Sequence, residues 1–361
     1  AAAASAASAA LAPLARALPV RPEAVDTILT PGDFYAALVD GAASASRRLT
    51  WASLYHGTEH PLEVALAKRL GAAARRGGGP AVRVLVDWAR GTRPTRGEGG
   101  NGSDSTASLL AREVLGGGAG ATAPRDAGVA LWRTPSAVSP WLPPRFKEIV
   151  GVSHIKAYVS DDDVLISGAN LSESYFTDRQ DRCVALRSAP ELATWLDGLV
   201  AEVAESSYRL APCGSVLPPA PGPAEGRGSF LAALRSRVEA HASPLPQHSL
   251  GLGGCTHAFP AVQMGPLGVK QDEDCTLAVL RAAEPGGLVT IATAYLNLPP
   301  KYEAAVAECR ARVRLLTAAP SSHGFAGARG VSALVPPAYA HLQQALLARL
   351  SARRQVEVLE W

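Results

Sequence analysis

The sequence predicts an α/β protein built as two similar halves, and three observations carry that expectation. Short runs rich in Val, Leu and Ile alternate with amphipathic segments of helical period through most of the 361 residues. A Pro- and Gly-rich stretch, PCGSVLPPAPGPAEGRGS over 212–229, interrupts the alternation and reads as a linker. Beyond it the helix–strand order begins again, as a duplicated unit would. The expected organisation is a tail over 1–22, a first domain over 23–211, the linker over 212–229 and a partial second domain over 230–361.

The tail is Ala-rich, with Arg16 and Arg21 and no acidic residue before Glu23. It reads either as a low-complexity tail or as what remains of a mitochondrial transit peptide, and the sequence does not begin with Met. PGDFYAALVDGAASA is an expected helix with Asp33 in its first turn, and RRLTWASLYHG a buried strand ending at a Gly turn. PLEVALAKRLGAAARR has helical period with Pro61 at its start, and AVRVLVDWA is a strand. Gly91 to Ser105 is too polar for a core element and reads as a loop. TASLLAREVL is a short helix, VALWRTP a strand, TDRQDRCVALR another strand, and APELATWLDGLVAEVAESSYRL an amphipathic helix. In the second half FLAALRSRVEAHA is a helix, and the stretch containing GLGG and VQMGPLGVKQDEDCTLAVL is a loop region. GGLVTIATAYLN, RVRLLTAA and QVEVLEW are strands, while KYEAAVAECRA and VPPAYAHLQQALLARLSARR are helices.

Bulk properties narrow the class. The chain is 47% hydrophobic and 19% charged, ordinary for a globular protein, and a net charge of +3 makes no case for nucleic acid. Cys183, Cys213, Cys255, Cys275 and Cys309 form no C-x-x-C pair, so neither a zinc site nor a disulfide framework is expected. No run of 18 strongly apolar residues occurs, and contact with a membrane is expected to be peripheral. Arg far outnumbers Lys, which appears only at 68, 147, 156, 270 and 301. Lys156 therefore stands out.

It stands in GVSHIKAYVSDDDVLISGANLSESYFTDRQDRCV, 151–184, where His154, Lys156 and Asp161 are spaced H-x-K-x4-D and Gly168 and Asn170 follow. Two β-rich runs joined by a polar turn are expected here, with His154 and Lys156 on one face by strand alternation. An imidazole beside an ammonium suits attack on a phosphate, the Lys holding phosphoryl oxygens while the His acts as nucleophile or proton carrier. Asn170 can donate to the same oxygens. Asp161 lies past the turn, off the His/Lys face, and is expected to fix the loop or a His orientation.

Other candidates surround this core. His56 and His60 follow a strand, where α/β sheets place ligands, and read either as a lip of the pocket or as loop histidines; their flanks argue against metal. Arg179 and Arg182 offer guanidinium forks that suit phosphate, or alternatively an ion-pair set with Asp178 and Asp181. SSHGFAGARG, with Gly324 and Gly327, is a loop whose amides could cradle a phosphate, or a simple connection.

HIKAYVSD and SGAN resemble the HKD motif of the phospholipase D superfamily, and SGANLSESYFTDRQDR resembles its mitochondrial phosphatidylglycerophosphate synthase branch, the CDP-diacylglycerol–glycerol-3-phosphate 3-phosphatidyltransferases. The resemblance runs from about Thr27 onward. It implies an α/β/α sandwich and transfer of the phosphatidyl group of CDP-diacylglycerol to glycerol 3-phosphate, releasing CMP through a phosphohistidine. It also implies no cofactor, and peripheral contact with the matrix side of the mitochondrial inner membrane. It favours a supporting role around the pocket for Arg179 and Arg182, and a nucleotide- or glycerophosphate-holding role for the Gly324 loop.

The family uses two facing HKD motifs. Here the histidines at 56, 60, 241, 248, 257, 323 and 341 all lack a Lys two positions on. The expectation is that the sequence stops before its second motif and that the chain alone is nearly inactive. Two alternatives stay open, a homodimeric HKD phosphodiesterase and a silent lipid- or nucleotide-binding form.

Overall fold

A computed structural model describes residues 2–95, 104–118, 120–135, 151–219, 226–244, 256–322, 325, 327, 329–350 and 355–361. The chain divides into two compact units, one formed by residues 17–260 and 264–269, the other by 1–16, 261–263 and 270–361.

The first unit is organised on a mixed sheet. Its strands in chain order are β1 (Leu18–Val20), β2 (Val25–Ile28), β3 (Arg48–Ser53), β4 (Ala81–Asp87), β5 (Ala127–Trp132), β6 (Ala157–Ser160), β7 (Asp163–Ser167), β8 (Cys183–Leu186), β9 (Tyr208–Leu210), β10 (Val216–Leu217) and β11 (Thr256–Ala258). Nine of them form one sheet in the order β10-β9-β5-β4-β3-β6-β7-β8-β2, while β1 and β11 pair separately. β3, β4 and β5 are parallel neighbours, and β6 joins β3 antiparallel. The central strands read as nearly unbroken apolar runs because helices cover them. Trp51, Val84, Leu131 and Tyr158 are all buried in this core, with Trp51 and Tyr158 edge-to-face at 5.9 Å.

The covering helices start where local chemistry directs. Thr30 accepts from Asp33 N at 3.1 Å to cap Pro31–Ser44, which buries Phe34, Leu38 and Ala42 at i, i+4, i+8. His60 and Glu63 make a reciprocal capping box on Pro61–Arg75. Gly57 is required beside it: a Cβ there would meet the Glu63 carboxylate at 2.0 Å.

The second unit has a parallel sheet, Leu288–Ala292, Arg312–Thr317 and Val356–Glu360 in that order, with helices Pro300–Glu308 and Val335–Leu350 between successive strands. Val306, Val313, Leu315 and Leu346 lie in its core. The same strand–helix alternation joins β3 to β5 in the first unit, with Pro61–Arg75 and Thr106–Glu113 between them.

Several local expectations are revised. Residues 271–282, read as part of a loop region, form a helix: Asp272, Glu273 and Asp274 supply its acidic first turn and Cys275, Leu277 and Leu280 its buried face. Ala2–Leu11 is helical as well. His154 and Lys156 precede β6 instead of lying in it, so strand alternation does not set their relation. The Gly91 to Ser105 stretch lies largely outside the described residues.

Candidate active site

The segment 153–156 enters β6 as irregular chain. Ala157 faces Ala52, and Ser53 faces Val86, so this segment passes the C-terminal ends of β3 and β4. Ala157 also faces Ile166, and Ser167 faces Cys183, which brings Gly168, Asn170 and Asp181 to the same sheet edge. Parallel strands present ligand sites at their C-terminal ends, and this edge holds the chemistry-bearing residues.

Lys156 donates to His154 Nδ1 at 2.8 Å, with Nε2 at 3.3 Å and the His154 carbonyl oxygen at 3.2 Å. The lysine is only 8% exposed, whereas His154 opens to solvent. Burial pushes the Lys156 ammonium down to about 8, against the opposing pull of Asp181. Partial burial, then Lys156, holds His154 below the usual imidazole range. Near neutral pH the pair is a charged lysine beside a neutral imidazole, with the ring nitrogen facing it acting as acceptor.

The turn after β7 is built to hold Asn170. Ser167 Oγ accepts from Ala169 N at 3.1 Å, and the buried Tyr158 hydroxyl donates to Ala169 O at 2.8 Å. Asn170 is 5% exposed and its Oδ1 has no hydrogen-bond partner among the described residues. A buried amide left unpaired costs stability unless a ligand or water completes it. Gly168 is where Asp181 comes close; a Cβ would lie 2.7 Å from Asp181 Oδ2.

The remaining candidates separate. Asp161 sits in the β6–β7 turn at the far end of β6, roughly 13 Å of strand from His154. Its φ is +53°, and its carboxylate accepts from Ser46 N, Ser46 Oγ, Arg47 N and Arg48 N at 2.8–3.0 Å. It clamps two loops together at the end of β6 opposite the His154–Lys156 pair. His56 is 1% exposed; its Nδ1 bonds Gly57 O at 2.8 Å and its Nε2 is buried without a partner among the described residues. Its backbone bridges to Leu171, next to Asn170 in the chain. His60 is a helix cap. Arg179 lies 5.5 Å over the Tyr175 ring, and Arg182 N donates to Asp181 Oδ1 at 2.7 Å. Both are exposed, and neither forms an ion pair among the described residues. Gly327 belongs to the second unit, with φ +74° and open space at its Cα, and Gly324 lies outside the described residues. No cluster of three or more His, Cys, Asp or Glu suited to a metal occurs among the described residues.

Two residues not singled out in the sequence hold the edge in place. Asp87 is 2% exposed; its Oδ2 accepts from Ser153 N at 2.8 Å and its Oδ1 from Arg90 N at 2.8 Å. Glu63 is 6% exposed and accepts from Glu59 N, His60 N and Glu173 N at 2.8–3.0 Å, tying the β3 loop to the turn beyond Asn170. The capping pattern H-x-x-E was readable at Glu63; its reach to residue 173 was not.

No family model matches the chain. It is 32% identical over 358 residues to the mitochondrial CDP-diacylglycerol–glycerol-3-phosphate 3-phosphatidyltransferase of Gallus gallus, covering 88% of this chain and 62% of that protein. The Homo sapiens counterpart is 31% identical over 369 residues, with 92% and 64% covered. The chain is similar to these CDP-diacylglycerol–glycerol-3-phosphate 3-phosphatidyltransferases over most of its own length. It spans about three-fifths of the length of these relatives. Among solved structures, a phosphatidylserine synthase of Haemophilus influenzae superposes with a TM-score of 0.75 at 17% identity, over 99% of this chain and 77% of that one. The chain thus shares the α/β fold of that synthase, the fold class that the alternating strands and helices predict.

Proposed function

We propose that this chain carries the nucleophile-bearing half-site of a phosphatidylglycerophosphate synthase, an enzyme of phosphatidylglycerol and cardiolipin synthesis. The supporting observation is the buried Lys156 held 2.8 Å from His154 at the C-terminal edge of the parallel strands. In the free site Lys156 occupies an imidazole lone pair. A phosphate anion is the stronger acceptor and draws the ammonium to its own oxygens, leaving the imidazole free to attack. His154 nitrogen then bonds to the phosphorus that bears diacylglycerol in CDP-diacylglycerol. The P–O bond to CMP breaks, and CMP leaves with the electron pair. Lys156 and the Asn170 amide hold the phosphoryl oxygens as charge builds. In the second step the primary hydroxyl of glycerol 3-phosphate attacks the same phosphorus. The P–N bond breaks back to the imidazole, and the hydroxyl proton passes to a base.

Asp161, Arg179, Arg182 and the Gly324–Gly327 loop have no step in this scheme. No described helix is long and apolar enough to cross a membrane, and we assign substrate access to peripheral contact with the matrix face of the mitochondrial inner membrane. The test is CMP release and phosphatidylglycerophosphate formation from CDP-diacylglycerol and glycerol 3-phosphate by the full natural chain. His154→Ala should abolish both, and a labelled phosphatidyl group should be recovered on His154 as an acid-labile adduct. Near-parental product formation by His154→Ala sinks the assignment.

A further inference from the structure

The reactive histidine is held by little of its own. Residues 153–156 lie outside the sheet ladder, and His154 is open to solvent. The lysine beside it bonds the ring and the His154 carbonyl oxygen, but both partners lie in that same irregular segment. What ties the segment to the sheet comes from 66 residues earlier. Asp87 ends β4, and its two carboxylate oxygens are divided between separate tasks: Oδ1 accepts from Arg90 N at 2.8 Å, capping the one-turn helix Trp88–Gly91, and Oδ2 accepts from Ser153 N at 2.8 Å. Ser153 is buried, and it is the residue immediately before His154.

A helix cap needs one oxygen and little burial. At 2% exposure this carboxylate instead takes on the cost of a desolvated charge. The carboxylate fixes two backbone amides at once, one of them in the segment carrying the reactive group.

We infer that Asp87 is a positioning residue for His154, holding the imidazole in its place over the sheet edge through the Ser153 amide. The reaction served is the phosphatidyl transfer proposed above, and the inference rests on that reading for its kinetic consequence only. Displacement of a reacting atom by about 1 Å costs on the order of 100-fold in rate while leaving most substrate contacts intact.

Asp87→Asn is the first test, because a single carbonyl oxygen replaces two carboxylate acceptors and the bonds from Ser153 N and Arg90 N cannot both be kept, with almost no change in volume. In the full natural chain, kcat is expected to fall roughly 10–100-fold while KM for CDP-diacylglycerol stays within about threefold. The NMR titration of the His154 ring is expected to move toward the ordinary imidazole range as its contact with Lys156 loosens. A merely structural cap would not move that titration. Parental kcat together with a parental His154 titration overturns the inference.

If Asp87→Asn fails to fold, replacement of the Ser153 amide by an ester removes the same hydrogen bond and leaves the carboxylate in place. The same loss of kcat is expected, and full activity in that variant overturns the inference. If the parent itself releases no CMP, the transfer reading fails alone. The His154 titration still decides: a shifted curve in the variant upholds the role of Asp87, and an unshifted one removes it.

Discussion

Lys156 Nζ lies 2.8 Å from His154 Nδ1 and 3.3 Å from Nε2, and the two side chains divide the burial unequally, the cation inside and the imidazole at the surface. The unusual member is the lysine. A charged group at 8% exposure is held by a ring nitrogen, a carbonyl oxygen and the field of Asp181, with no carboxylate bonded to it among the described residues. Such a cation is undersolvated, and an arriving phosphate relieves it.

The pH dependence of the reaction should follow from this pair. His154 must be neutral to attack, and its depressed pKa keeps it so to below the ordinary imidazole value near 6.5. Lys156 must be charged, and it loses its proton near 8. A kcat/KM profile of the full chain should therefore be a bell whose acid limb lies below pH 6.5 and whose alkaline limb lies about pH 8. Lys156→Arg keeps its charge across the range, so whatever activity it retains should lose the alkaline limb; a limb that stays at the same pH assigns it to another group.

Function and stability oppose one another at Lys156. Its pKa drops from 10.5 to about 8, so the folded state disfavours the charge by at most about 3.5 kcal/mol, at about 1.4 kcal/mol per unit. The sign is that of a depressed cation: the penalty is full below pH 8 and disappears as pH rises through 10.5, where the unfolded lysine also loses its proton. Lys156→Met should abolish transfer and raise the melting temperature at pH 7. The same pair measured at pH 10 should differ much less, and an equal gain at both pH values would refute the electrostatic account.

His56 makes a second linkage with the opposite practical consequence. Burial lowers its pKa, against smaller raising effects from the Gly57 carbonyl and Glu63. The unfolded histidine binds a proton below about 6.5 and the folded one does not, so the fold loses stability as pH falls through that value, at up to about 1.4 kcal/mol per pH unit. His56→Leu removes this term. Its melting temperature relative to the parent should climb between pH 7 and pH 5, and a constant difference would show that His56 does not titrate on unfolding.

What was legible in the sequence divides by the range of the interaction. HIKAYVSD and SGAN announced the pair and the amide because their spacing is local, and the alternating runs announced the sheet for the same reason. The Thr30 and His60 caps were also within reach of local pattern. The Ser153 bond from Asp87 and the Glu173 bond from Glu63 join residues 66 and 110 apart, and depend on strand order that periodicity does not encode. His56 illustrates the reverse failure. A histidine just past a strand looks exposed, yet this side chain is buried with its Nδ1 on the Gly57 carbonyl oxygen.

Asp161 supplies the sharpest separation of motif from mechanism. Its backbone at φ +53° lies in the left-handed region that Asp and Asn tolerate better than most residues. Burial raises its pKa, but the hydrogen bonds from Arg48, Ser46 and Arg47 outweigh that and hold it below the usual carboxylate range. The clamp therefore stabilises the fold above the ordinary carboxylate pKa and weakens as acid protonates the folded group. Asp161→Ala should cost about 1.5–3 kcal/mol of stability, the size of hydrogen bonds to a charged group, plus the strain of Ala at positive φ. Asp161→Asn should recover part of that by keeping an acceptor and tolerating the backbone. Neither substitution should change kcat of the folded fraction by more than about twofold, because β6 separates the clamp from His154 by roughly 13 Å. A kcat loss of 100-fold or more in a folded Asp161→Asn protein would return this residue to the reaction.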